Sequence, residues 1–148
     1  MIMTSAGNRW LVLVTGDRTE GRFSALETRV RQGAEPPRHI HSREDEVVHV
    51  IEGHVTFMVE GERLDGPAGS CVLLPRGKEH TFSVNGADAR LLVLLLPAGL
   101  EGWVHDLGRP DDELQEQPDV ERLVTAAARY GVAITGPARP LETETRRS

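Results

Sequence analysis

Short runs of aliphatic and β-branched residues follow one another through the first hundred positions, with turn residues between them. The runs are WLVLV (10–14), FSALETRV (23–30), EVVHVI (46–51), HVTFMVE (54–60), SCVLL (70–74), HTFSV (80–84) and ARLLVLLL (89–96). The breaks carry Gly53, Gly61, Asp65-Gly66-Pro67, Pro75 and Asn85-Gly86. Short strands at this spacing predict an all-β sandwich or barrel. EGHVT reads as a tight hairpin joint, with Gly53 free to take positive φ.

Side chains alternate along a strand, so period two shows which faces point inward. In 46–51, Glu46, Val48 and Val50 share one face, and Val47, His49 and Ile51 share the other. Both faces are largely apolar. Such a strand is covered on both sides, by a second sheet or by a partner chain. With the aliphatic WLVLV run in search of an edge to pair with, this predicts a homodimer.

The character changes after Pro97. LEGWVHDLG suggests a short helix. QPDVERLVTAAARYG predicts a helix from about Pro118 to Tyr130, with Pro118 in its first turn and Asp119 and Glu121 at its positive end. Val120, Leu123, Val124 and Ala127 form its apolar stripe, and Gly131 can cap it. The expected organisation is a β-barrel over 1–97, an extension with a packed helix over 98–136 and a flexible tail over 137–148.

The chain has 148 residues, 39% of them apolar and 27% charged, which suits one domain with a moderate core. Its formal net charge of -6 argues against a nucleic-acid or anionic-membrane partner. The longest aliphatic run, Leu91 to Leu96, is too short to span a bilayer, and no secretory signal is visible. Cys71 is the single cysteine and reads as a small buried hydrophobe. With no intrachain disulfide possible, a cytoplasmic location is expected.

The stretch HIHSREDE (39–46) carries the chemistry. Positions two apart on an extended chain point the same way, so His39 and His41 can aim at one point. Pro36 and Pro37 favour the extended backbone this needs. Glu46 opens the next strand and can swing to the same point. His80 follows a proline–glycine turn and supplies a fourth partner. Three imidazoles and one carboxylate suit one divalent transition metal, whether iron, manganese, nickel, zinc or copper. Only Glu46 of the SREDE charge run has ligand spacing; Glu44 and Asp45 are expected to face water. His49 falls on the face opposite Glu46 and is assigned to packing or an interface. His54 is expected at the surface, and His105 in a lid or at the surface. Met58, Phe82 and Trp103 are candidate pocket-lining side chains. Core packing competes for Met58 and Phe82; for Trp103 the competing role is stapling the tail to the barrel.

The pattern resembles the cupins. Their first motif is G, five residues, H-x-H, three or four residues, E, six residues, G. This chain has Gly33, five residues, His39-Ile40-His41, four residues, Glu46, six residues, Gly53. Their second motif is G, five residues, P-x-G, two residues, H, three residues, N. Here it is Gly69, five residues, Pro75-Arg76-Gly77, two residues, His80, three residues, Val84, with the asparagine displaced to Asn85. That departure concerns a turn rather than a ligand. The resemblance covers roughly 10–97 and implies an antiparallel jelly-roll β-barrel with a short C-terminal helical extension. It also implies a metal held inside on His39, His41, Glu46 and His80. The tail resembles that of single-domain actinobacterial cupins often compared with quercetin dioxygenases, some of whose relatives act in polyketide tailoring.

The implied function is a metal-dependent dioxygenase acting on a small aromatic or enolic compound, with Glu46 as catalytic base. The alternatives are an isomerase, cyclase or lyase that works without dioxygen, and a small-molecule binding module without turnover. The expected partners are a small-molecule substrate and a second copy of the chain.

Overall fold

The computed structural model describes residues 2–5, 8–107, 109–110 and 120–138. In chain order its strands and helices are β1 (Ile2–Ser5), β2 (Asn8–Val14), β3 (Ser24–Arg31), β4 (Arg38–His41), β5 (Asp45–Val59), β6 (Glu62–Pro67), β7 (Cys71–Leu74), β8 (His80–Leu96), α1 (Glu101–Leu107), β9 (Arg109–Pro110), α2 (Val120–Arg129) and β10 (Val132–Gly136). Every strand pairing among the described residues is antiparallel.

Two long strands organise this jelly roll. β5 and β8 run side by side for most of their length, and each takes part in two sheets. The C-terminal half of β8 pairs with β3, while the N-terminal half of β5 pairs with β7. Beyond β3 this sheet continues through β2 and β1 to β9. The other halves, His80–Asn85 and His54–Val59, join β4, β10 and β6 into the second sheet. Inward-facing side chains from both sheets form one core, including Leu26, Val48, Val50, Phe57, Val84 and Leu91.

The bend between the sheets lies where sequence reasoning expected a hairpin. β5 passes through Gly53 without reversing, and the β5–β8 register slips between Val50 and Glu52 and again between Glu52 and His54. Gly53 does take positive φ, at 91°, but the reason is close packing. A Cβ there would meet the Asp88 carbonyl oxygen at 2.7 Å and the Ala89 Cα at 3.0 Å. The true reversal comes at Glu60 and Gly61, with φ of 50° and 80°, a two-residue turn between β5 and β6. Asn85-Gly86 likewise lies inside β8, with Gly86 at φ 98°.

The bend changes which residues point inward. Val48 and Val50 are buried before it, Val55 and Phe57 after it. Along β8 the buried set passes from His80, Phe82 and Val84 to Ala89, Leu91, Val93 and Leu95. A bulge has this effect because side-chain direction alternates with every residue.

Three further expectations change. β1 covers one edge of β2 from Asn8 to Leu11 and β3 lies along the other, so the open edge of WLVLV is confined to Val12–Val14 among the described residues. Cys71 is exposed rather than buried: it shares the outer face of β7 with Leu73, while Leu74 points into the core. The helical stripe is also rotated. Ala126 and Ala127 are buried and Leu123 is half-buried, whereas Val124 is 43% exposed. Leu123, Ala126, Ala127 and Tyr130 follow the i, i+3, i+4, i+7 spacing of one helix face. Pro118 and Asp119 lie outside the described residues, as does most of the 137–148 tail.

Candidate metal centre

β4 positions His39 and His41 two residues apart on one side of an extended chain. β10 holds that strand in place, with Val132 opposite His41 and Ile134 opposite His39. On the other edge, His39 pairs directly with His80 at the start of β8. The Gly77 N–H donates to the His41 carbonyl at 2.8 Å, tying the Pro75-Arg76-Gly77 turn to the same strand. Glu46 enters as the second residue of β5. Its Oε2 lies 3.2 Å from His41 Nε2 and 3.3 Å from His80 Nε2.

The three imidazoles form a tight group, with ring centroids 4.4–5.0 Å apart. One ligand atom from each of His39, His41, Glu46 and His80 falls within 4.8 Å of the others. The His39 Nδ1 faces the Pro37 carbonyl oxygen at 2.6 Å, which turns its Nε2 the other way. His41 and His80 are buried, and among the described residues both nitrogens of each lack a hydrogen-bond partner. Buried imidazoles without partners are costly unless something fills the space between them. Three neutral nitrogens and a carboxylate are the donor set that borderline divalent metals take. These four side chains therefore fit a metal, and they form a candidate metal-binding group.

The electrostatics differ from one side chain to the next. Burial pushes His39 down to about 3, helped by the neighbouring His80 and His41, so it is a neutral donor at ordinary pH. Burial opposes charge on His41 as well, but the Glu44 and Glu46 carboxylates outweigh it and raise His41 to about 9. For Glu46 burial works against ionisation, yet His41 and His80 hold the carboxyl well below the usual carboxylate range.

The four residues line a cavity of about 410 Å³, within the usual range for a site that takes a small molecule. Trp10, Phe82 and Trp103 contribute aromatic walls, and Leu123 and Ala127 bring α2 to the lining. Two of the polar lining residues are already committed. The Asn8 amide donates to the Ala34 carbonyl at 2.7 Å, and Glu35 accepts from the Gly33 and Val84 N–H groups. Among the described residues the Trp103 indole N–H has no acceptor.

Of the three expected pocket residues, Phe82 and Trp103 line the cavity and Met58 does not. Met58 lies beyond the bend in β5, where Val55 and Phe57 hold the inward face. His49 is half-buried, with its Nδ1 at 3.0 Å from the Ser70 carbonyl oxygen. His54 is exposed and paired with Asp65. The His105 side chain lies outside the described residues. Sequence reasoning missed Glu44, which is 3% exposed and sits behind His41.

Fold and site together define a class: an antiparallel jelly roll with three histidines and one carboxylate converging on one cavity. A family model described as Cupin domain matches residues 26–96, and the chain belongs to the cupin superfamily. It is 22% identical over 153 residues to the quercetin 2,3-dioxygenase of Bacillus subtilis (strain 168), covering 95% of this chain and 45% of that protein. Over 84 residues it is 32% identical to the acireductone dioxygenase of Geobacillus kaustophilus (strain HTA426), covering 53% and 44%. The chain thus spans less than half the length of either relative. An RmlC-like cupin from Shewanella frigidimarina NCIMB 400 has the same fold, with a TM-score of 0.59 at 22% identity over 69% of this chain and 87% of that one. No helix among the described residues is long and apolar enough to cross a membrane.

Proposed function

We propose that the protein is a metal-dependent dioxygenase acting on a small aromatic or enolic compound. One observation carries this reading: a buried three-histidine, one-carboxylate cluster lines a cavity whose other walls are largely apolar. His39, His41, Glu46 and His80 would hold the ion. When bound, a divalent transition metal supplies Lewis acidity and, for the redox-active ions, reactivity toward dioxygen.

The chain's own residues do the rest. Trp10, Phe82 and Trp103 offer flat surfaces to a planar ring and keep water away from it. With Asn8 and Glu35 committed to internal bonds, these walls favour a ligand with few polar groups. Glu46 Oε2 would accept the proton of a substrate hydroxyl, leaving an electron-rich enolate for dioxygen to attack. The dioxygenase names of the two sequence relatives support the oxygen-dependent version.

Two further readings concern the whole protein. The outer face of the first sheet carries Val47, Ile51, Leu73, Leu92 and Leu94, and Leu73 is 56% exposed. An apolar patch on a sheet face supports a homodimer that covers it. With one cysteine this chain forms no internal disulfide, which supports a reducing, cytoplasmic compartment.

The test of the activity is a dioxygen electrode. Protein loaded in turn with iron(II), manganese(II), nickel(II), zinc(II) or copper(II) is screened against flavonols and phenolic polyketides. One dioxygen should be consumed per substrate converted, with no conversion under argon. Equal conversion with and without oxygen would replace the dioxygenase by an isomerase, cyclase or lyase. Binding without conversion would leave a ligand-binding module.

A further inference from the structure

We propose that Glu44 is a positioning residue for the metal centre. Its carboxylate accepts the His41 Nδ1–H, and this fixes the imidazole with its Nε2 lone pair turned toward Glu46 and His80. The inference rests on the metal reading above and adds a residue to it.

Glu44 lies in a charge run, next to Arg43 and Asp45, yet it is 3% exposed. A buried carboxylate needs a partner, because desolvation costs several kcal/mol that only a close donor or opposite charge offsets. Glu44 Oε2 lies 3.6 Å from His41 Nδ1, and neither atom has a hydrogen-bond partner among the described residues. The two atoms are complementary, with an imidazole N–H on one side and an acceptor-only oxygen on the other. The gap is slightly too long for a hydrogen bond, and a few tenths of an ångström of closure would make one.

The backbone around Glu44 is held from both ends. Ser42 donates from its N–H and its Oγ to the Gly131 carbonyl, at 2.9 and 2.7 Å. Asp45 Oδ1 accepts the Arg76 N–H at 2.9 Å. A three-residue turn fixed on either side has little freedom to swing Glu44 out to solvent. The other β4 ligand follows the same plan, since His39 Nδ1 faces the Pro37 carbonyl oxygen. Both histidines thus have an oxygen behind the ring. For His41 that oxygen carries charge, which makes the imidazole a stronger donor to a cation as well as orienting it.

The test uses zinc(II) as probe and two variants, Glu44→Gln and Glu44→Ala. Zinc affinity is measured by chelator competition, and the imidazole N–H protons of the zinc-loaded proteins are followed by nitrogen-edited NMR. In the wild type, His41 should show an Nδ1–H signal that exchanges slowly with water. Glu44→Gln keeps the volume and a neutral acceptor. It should weaken zinc binding about 10–100-fold, the usual scale for such a partner, and move the His41 signal upfield. Glu44→Ala should lose the slow exchange as well. If Glu44→Ala fails to fold, the isosteric Glu44→Gln still decides. Unchanged zinc affinity and an unchanged His41 signal would overturn the proposal, even if the melting temperature of the metal-free protein fell. A wild-type protein that binds no zinc, and none of the other candidate metals, would instead overturn the metal reading on which it rests.

Discussion

At the scale of single residues, the question is what Glu46 does besides holding a metal. Glu46→Gln keeps the volume and one acceptor oxygen but loses the charge and the ability to take a proton. His41→Ala removes a donor nitrogen outright. With Glu46 as base, Glu46→Gln retains much of the metal yet turns over on the order of 10²-fold more slowly, while His41→Ala loses both metal and activity. Metal content and turnover measured on the same samples separate the two. A Glu46→Gln protein with full metal and full turnover would refute the base role. The four cluster residues were legible because their spacing is local: three lie within eight positions, and the fourth follows a proline–glycine turn. Glu44 was not legible, because a charge run reads as solvated until a distant segment closes over it. Gly131, which pins Ser42 two residues before it, comes from such a segment at the far end of the chain. Met58 was misjudged for a related reason, since the face it occupies depends on a bend five residues earlier.

At the scale of elements, the bend in β5 and the C-terminal segment carry the main predictions. Gly53→Ala introduces a Cβ against the Asp88 carbonyl and Ala89, at a φ of 91° that other residues rarely adopt. The expected cost is on the order of 1–3 kcal/mol in denaturant unfolding, and a change within experimental error would show that the bend yields freely. Deleting everything after Pro97 removes β10 from the edge of β4 and removes the cavity wall built by α1 and α2. The truncated protein should melt at lower temperature and bind metal more weakly. Unchanged values for both would show that β4 holds its histidines without help. The strands of the first hundred residues were legible from apolar runs and turn residues. The hairpin expected at Gly53 was not there, because positive φ serves a bulge as well as a turn and a lone glycine does not distinguish them. β10 was missed although VAITG alternates Val132 and Ile134 between Gly131 and Gly136, a strand signal hidden behind the stronger helix before it.

At the scale of the whole molecule, one face and one cavity remain to be accounted for. The outer face of the first sheet predicts a homodimer, so light scattering at micromolar concentration should give twice the 16.3 kDa chain mass. Leu73→Asp should shift it toward the monomer, while a wild-type monomer would leave the patch without this explanation. The doubly apolar character of 46–51 was legible in the sequence; the open edge of WLVLV is shorter than expected, because β1 pairs with Trp10 and Leu11. The cavity was legible only in part, through Phe82, Trp103 and the four cluster residues, since its other walls come from strands and helices far apart in the chain and only their packing makes a space. Everything proposed about that space depends on an ion held by His39, His41, Glu46 and His80. The most direct measurement is X-ray absorption at the metal edge of the loaded protein. It should show an inner shell of nitrogen and oxygen at about 2.0–2.2 Å, with the outer-shell scattering of three imidazoles. A metal that binds with fewer imidazoles, or the same spectrum from a His39→Ala, His80→Ala protein, would contradict the account.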